Sequence, residues 1–266
     1  LIYFNSEIGQ WSWEIDKIQT TNIADDVNGL IVGKIKKMPP DAMNMMKLAS
    51  CIGNQFSVNL LALALNQKEE YVRQQLKICQ TYEFIMPMDQ SSIDSESADD
   101  YHEKDNGSIE RYQFVHSKIF RAAYSMLEKQ QREETHLWLG RLLRQSTPED
   151  QLDQNVFKII NQMNEAKHLV LEQDERHDLA RLNLIAGSRS KSGAAFETAW
   201  KYFCAGSDLL SEDSWVENYD LAKEIYLKRS ECEYYIGNTN EVEPIFDLLL
   251  NHIQTTQEKV EVINIK

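Results

Sequence analysis

One histidine in this 266-residue chain stands where it could handle a phosphate. His116 closes a short extended run and opens an amphipathic helix. In QFVHSKIFRAAYSML, Gln113 to Leu127, the residues Ile119, Phe120, Ala123, Tyr124 and Leu127 recur at helical spacing, while Ser117, Lys118 and Arg121 fall elsewhere. At a helix start the imidazole lies near the positive end of the dipole and can donate to an anionic oxygen. The same position suits a local helix cap or a partly buried, hydrogen-bonded histidine, and the sequence leaves both roles open.

The motifs that phosphate chemistry requires are missing. There is no G-x-x-x-x-G-K-[ST] loop, no G-x-G-x-x-G, no H-R-D or D-F-G, no His-Glu-x-x-His and no Gly-x-Ser-x-Gly. Phosphoryl transfer needs a backbone cradle and metal-holding carboxylates, so ATP hydrolysis or kinase activity would have to reside on other domains. Cys51, Cys79, Cys204 and Cys232 are far apart and form no C-x-x-C pair, which points to small buried apolar residues in a reducing compartment and to neither zinc nor a disulfide framework.

The elements that must position His116 are legible upstream. Ile2 to Phe4 and Gln10 to Trp13 read as a hairpin with Trp11 and Trp13 on one face. From Asp25, the residues Val27, Leu30, Ile31, Lys34, Ile35 and Met38 make a helical stripe ended by Pro39-Pro40, and Pro40 can start the next helix, carrying Met43, Met46, Ala49 and Ile52 up to Gly53. Ser57 is a candidate N-cap for the run Val58 to Leu65, and Val72, Leu76 and Cys79 mark a third helix. Phe84 to Met88 and Tyr112 to Val115 read as two antiparallel strands. Three helices and a two-stranded wing make up the winged-helix order.

Between those strands lie Asp89, Asp94, Glu96, Asp99, Asp100, Glu103, Asp105 and Glu110 against Lys104 alone, half of the chain's net charge of −14. Such a composition predicts a solvated wing tip or a docking tail for a basic partner. The acidic balance argues against nucleic acid and anionic membranes. A DNA-reading helix from Lys68 to Thr81 would offer Lys68, Arg73 and Lys77 but is opposed by Glu69 and Glu70. No apolar run reaches the roughly 18 residues of a membrane span and no signal peptide precedes Leu1, so a cytoplasmic protein is expected. A start on Leu1 without Met further suggests a piece of a longer polypeptide.

Beyond Lys129 the pattern is helical. His136, Leu139, Leu142 and Leu143 share one helix; Thr147-Pro148 is expected to cap the next, with Val156, Ile159, Ile160 and Met163. Ala195, Phe196, Ala199, Tyr202, Phe203 and Gly206 put small and aromatic residues where one helix of a hairpin packs on another, and Gly237-Asn238 opens a comparable segment with Val242, Ile245, Phe246 and Leu249. The 44-residue step from Gly193 to Gly237 exceeds the roughly 34-residue tetratricopeptide period. Trp200, Tyr202, Phe203, Tyr234 and Tyr235 fit either a solenoid core or a peptide groove.

Several of these motifs resemble the region behind the nucleotide-binding module in signal-transduction ATPases with numerous domains, as found in large bacterial, cyanobacterial-like multi-sensor histidine and serine/threonine kinases. They are the blocks Leu1 to Ile18 and Asn22 to Phe56, with Gly33, Lys34, Ile35, Met38, Pro39 and then Ala49, Cys51, Ile52, Gly53, together with the segment from Phe114 to His116. The resemblance implies a mainly α fold: a hairpin and linker over 1–24, a winged-helix domain over 25–146 with an acidic insertion at 89–110, and a tetratricopeptide-like solenoid over 147–266. It implies that His116 senses the phosphate of ATP or ADP held by a neighbouring domain, with no cofactor in this segment. The implied partners are adjacent NTPase and kinase domains and a protein or small-molecule effector at the repeat array. A stand-alone peptide-binding scaffold and a DNA-binding regulator are the alternatives.

Overall fold

The computed structural model describes residues 2–5, 10–13, 23–88 and 110–265. The fold is mainly helical, and the chain divides into two units, Leu1–Arg132 and Glu133–Lys266. The division falls inside a helix that the sequence reading joins to the first domain.

In the first unit, strands β1 (Ile2–Asn5) and β2 (Gln10–Trp13) pair antiparallel with Phe4 opposite Trp11. The shared face expected of Trp11 and Trp13 rests on side chains outside those described. Helix α1 (Ile23–Ile35) buries Ile35 completely and packs Ile31 against the same core, but Leu30 is 63% exposed. Ile31 and Ile35, four apart, set the inward face, and Leu30 and Lys34 each lie about 100° round the helix from one of them, so the expected stripe loses both to solvent.

Helix α2 (Pro40–Ile52) starts with Pro40 in its first turn, where a missing N–H costs nothing, and buries Ala42, Met45, Met46 and Ala49. It stops at Gly53, whose φ of +149° favours glycine. A three-residue strand β3 (Gln55–Ser57) follows. Ser57 caps α3 (Val58–Leu65), its Oγ accepting from the Leu60 N–H at 3.4 Å. Helix α4 (Glu69–Thr81) buries Val72, Leu76 and Cys79.

Strands β4 (Ile85–Pro87) and β5 (Arg111–Phe114) pair antiparallel with Ile85 opposite Phe114, and β3 adds to the other edge of β5 in the order β3-β5-β4. The sequence reading lacks β3. Most of the acidic stretch, 89–109, lies outside the described residues; its last member, Glu110, accepts from Arg73 Nε at 2.7 Å and from the Tyr112 hydroxyl at 2.8 Å. Helix α5 (Ser117–Ser125) then packs Ala122 and Ala123 inward. Phe114 meets Phe56 edge-on at 5.7 Å and Phe120 at 5.6 Å, which ties strand and helix to one core on either side of His116.

The second unit takes in α6 (Lys129–Ser146) from Glu133 onward, then α7 (Leu152–Asn164), α8 (Gln173–Ser192), α9 (Phe196–Ser207), the one-turn α10 (Ser214–Glu217), α11 (Tyr219–Ile236), α12 (Thr239–His252) and α13 (Thr256–Ile265). Thr147 does not cap α7. Its hydroxyl donates back to the Leu143 carbonyl at 2.7 Å, closing α6, and a 3-10 turn beginning after Pro148 leads into α7. Glycines let helices approach closely: a Cβ on Gly187 would stand 2.4 Å from the Phe203 ring, and one on Gly140 would strike Met163. Helices α8 and α11 both end at a glycine, Gly193 and Gly237, and the second adopts φ +83°.

Ion pairs join helices that are not consecutive in the chain. Arg141 to Glu175 at 2.7 Å and Arg144 to Asp178 at 2.9 Å join α6 to α8, Lys191 to Glu231 joins α8 to α11, and Lys223 to Glu258 at 2.7 Å joins α11 to α13. The apolar core of this unit is segmented. One cluster holds Val156, Ile159, Leu179 and Leu182, and another holds Trp215, Val242, Phe246 and Leu249.

Candidate functional site

His116 is exposed and occupies the N-cap of α5 with extended backbone, φ −148° and ψ 142°. Its Nδ1 accepts the Lys118 N–H at 3.1 Å. A neutral imidazole has one donor and one acceptor nitrogen, so a capping Nδ1 leaves the proton on Nε2. The two roles that the sequence left open are therefore compatible: one nitrogen closes the helix, and the other is a donor on an exposed ring. Lys118 and Arg121 are exposed on the same helix and add positive potential for an anionic oxygen.

The four cysteines are free thiols, and burial raises them all: Cys79 to about 12 and Cys51, Cys204 and Cys232 to about 11. They stay protonated near neutral pH, which suits packing and disfavours nucleophilic attack or metal binding. Among the described residues no group of His, Cys, Asp and Glu is arranged to hold a metal. On α4, Arg73 is engaged by Glu110 at 2.7 Å and Glu69 at 2.6 Å, leaving Lys68 and Lys77 of the three cations weighed for DNA contact. No helix among the described residues is long and apolar enough to cross a membrane.

The chain is 27% identical, over 304 aligned residues, to the hybrid signal transduction histidine kinase G of Dictyostelium discoideum. That alignment covers 98% of this chain and 9% of the kinase, so the likeness runs through both units while the chain spans a small part of its relative. No family model matches the chain, and no solved structure matches it.

In the second unit the five aromatics split between the two roles weighed for them. Phe203 is fully buried; Trp200 and Tyr202 are half-buried, the former donating to Glu233 and the latter to Asn161 Oδ1 at 3.0 Å. Tyr234 and Tyr235 are each 59% exposed, and Tyr235 stacks on Phe196 at 4.5 Å. An open cleft of about 560 Å³ is lined by Leu184, Ile185 and Arg189 of α8 together with Asp153 and Glu224. Sequence reasoning missed it, because its walls come from three helices up to 71 residues apart.

A second missed cluster has suggestive geometry. Ser214 Oγ lies 3.2 Å from His177 Nε2, and Asn218 Nδ2 lies 2.8 Å from His177 Nδ1. The order resembles a nucleophile, a base and an amide, but the Asn218 amide nitrogen only donates, so Nδ1 accepts and the neutral ring keeps its proton on Nε2, where a base would need a lone pair. Ser214 also has no exposed surface, and its Oγ already accepts the Ser211 N–H at 3.0 Å. The cluster fastens α8 to the α10 turn and α11.

Proposed function

We propose that this chain is a non-catalytic regulatory and protein-interaction segment of a multidomain signal-transduction kinase. The observation that carries the reading is the likeness to a hybrid histidine kinase along 98% of the chain, over only 9% of the kinase. A segment that small, lacking a phosphate cradle of its own, is suited to controlling a neighbour.

In this reading the first unit is a winged helix, supported by its order of helix, short strand, two helices and two strands, with β5 leading into His116. It packs on a neighbouring nucleotide-binding domain, and His116 Nε2 donates to the ADP phosphate there. The second unit is a tetratricopeptide-like array, supported by its alternating helices and the ion pairs that step along them. Effector binding at the array, in the cytoplasm, shifts the nucleotide state next door. The open cleft on α8 also favours a second reading, a stand-alone peptide-binding scaffold.

Isothermal titration of the chain with Mg-ATP is expected to give no saturable heat, whereas adding the chain to the nucleotide-binding module proposed to neighbour it tightens that module's hold on ADP. Micromolar binding of Mg-ATP by the chain alone overturns the non-catalytic reading. ADP affinity that ignores the chain favours the scaffold.

A further inference from the structure

His252 is the last residue of α12, and both nitrogens of its ring face oxygen acceptors. Nδ1 is 2.9 Å from the Leu248 carbonyl oxygen, and Nε2 is 3.0 Å from Glu212 Oε1. Both partners are acceptors. A neutral imidazole can donate to only one of them and must turn a lone pair toward the other, while an imidazolium satisfies both. The ring lies flat on Trp215 at 4.4 Å, where the indole face attracts a cation, and the end of α12 supplies the negative pole of the helix dipole.

We propose that His252, Glu212 and Trp215 form a proton-dependent latch, closed by the imidazolium, that holds the end of α12 against the α10 segment and loosens when the ring loses its proton. The latch stands apart from the kinase reading and from His116. Its place in the core gives it leverage, since Trp215 belongs to the same apolar cluster as Val242, Phe246 and Leu249, so the contact sets how firmly the last hairpin is docked. Glu212 is the carboxylate facing the ring, Tyr219 and Tyr226 flank Trp215, and the further charges that act on Tyr226 are engaged elsewhere, Asp208 by Lys167 at 2.5 Å and Arg229 by Ser207 and Glu233.

The hydrogen bond to the Leu248 carbonyl, helped by Glu212 and opposed by burial, raises the pKa of His252 above its ordinary 6.5. A raised value means that the stabilisation is fully present below the ordinary pKa and is lost as pH rises through the folded one. Local opening of the 212–216 and 249–253 segments therefore increases by up to about tenfold per pH unit between those two values.

The test is a ring-resonance titration of His252 in the 266-residue chain, combined with hydrogen exchange corrected for intrinsic rates from roughly pH 6 to about pH 8.5, the range in which histidine discharges. The expected result is a midpoint above that of an ordinary histidine, with protection of both segments falling over the same range. His252→Gln should abolish that pH dependence, and Glu212→Gln, at an exposed site that leaves the fold intact, should lower the midpoint. A midpoint at or below the ordinary value, or pH dependence that survives in His252→Gln, overturns the latch.

Discussion

The indole N–H of Trp200 on α9 donates to the carboxylate of Glu233 on α11 at 2.6 Å, and Glu233 is 1% exposed. Asn238 donates to its other oxygen at 2.9 Å, and Arg229 Nε stands 3.6 Å away. That Nε has no hydrogen-bond partner, although another nitrogen of the same guanidinium donates to Ser207 Oγ at 2.9 Å. Glu233 is the buried charge here and Arg229 a half-buried one, so the carboxylate depends on the donors that hold it.

Trp200→Phe, which removes one donor to a charged acceptor, is therefore expected to cost about 1.5–3 kcal/mol. Glu233→Ala should cost about 1–3 kcal/mol, because the Trp200 and Asn238 donors and the shielded Nε of Arg229 lose the carboxylate they face. Urea unfolding of both variants and of the double mutant measures the coupling. Additive losses would mean that the two residues do not act together.

Two glycines should respond oppositely to the same change. Gly187→Ala drives a methyl to 2.4 Å from the Phe203 ring, which is fully buried, and should destabilise by about 1–3 kcal/mol through overpacking. Gly29→Ala in α1 meets nothing within 4 Å and should stabilise by about 0.5–1 kcal/mol by limiting the unfolded chain and improving helix propensity. Thermal unfolding of the two variants decides. Equal shifts in one direction would contradict the packing described.

The same contrast separates what the sequence could reveal from what it could not. Local rules located α2 between Pro40 and Gly53, the Ser57 cap and the turn at Gly237, because each depends on residues a few positions apart, and the pairing of β4 with β5 was legible from two short extended runs flanking one polar stretch. Strand β3 escaped, since three residues carry no periodicity and Gln55–Ser57 becomes a strand only when β5 offers it an edge. Thr147 was misread because its hydroxyl could serve either helix beside it, and the helix behind it won. The cap at His116 was one of two readable roles, whereas the His177 and His252 clusters join residues about 40 apart and leave no local pattern.

Acid should loosen the C-terminal helix α13. The Glu258 carboxyl is lowered from 4.5 to about 2, first by Lys223 and then by Thr255 and Tyr219. A depressed carboxylate contributes stability that is fully present above its ordinary value and lost as pH falls through the folded one. Protection of α13 against hydrogen exchange is thus expected to decline between pH 4.5 and about 2, while Glu258→Gln shows weaker protection at neutral pH and no such decline. A wild-type profile that is flat across that window would remove Glu258 from the docking of α13.

His116 allows its two nitrogens to be separated by mutation. His116→Ala removes the Nδ1 cap and the Nε2 donor together, so helix stability should fall by about 0.5–2 kcal/mol. His116→Asn keeps a short capping oxygen for the Lys118 N–H but cannot reach as far as Nε2, so the melting temperature should stay near that of the parent. If Nε2 donates to a phosphate on the neighbouring domain, both variants lose a charge-assisted hydrogen bond. ADP binding in the whole polypeptide should then weaken by about 1.5–3 kcal/mol, on the order of tenfold or more. The deciding comparison is ADP affinity and melting temperature for the parent, His116→Ala and His116→Asn. Weaker ADP binding in His116→Asn at unchanged stability assigns the ring to the nucleotide, because a cap alone would leave that affinity untouched. ADP affinity equal to the parent's in His116→Asn, with destabilisation confined to His116→Ala, leaves the imidazole as the cap of α5 and nothing more.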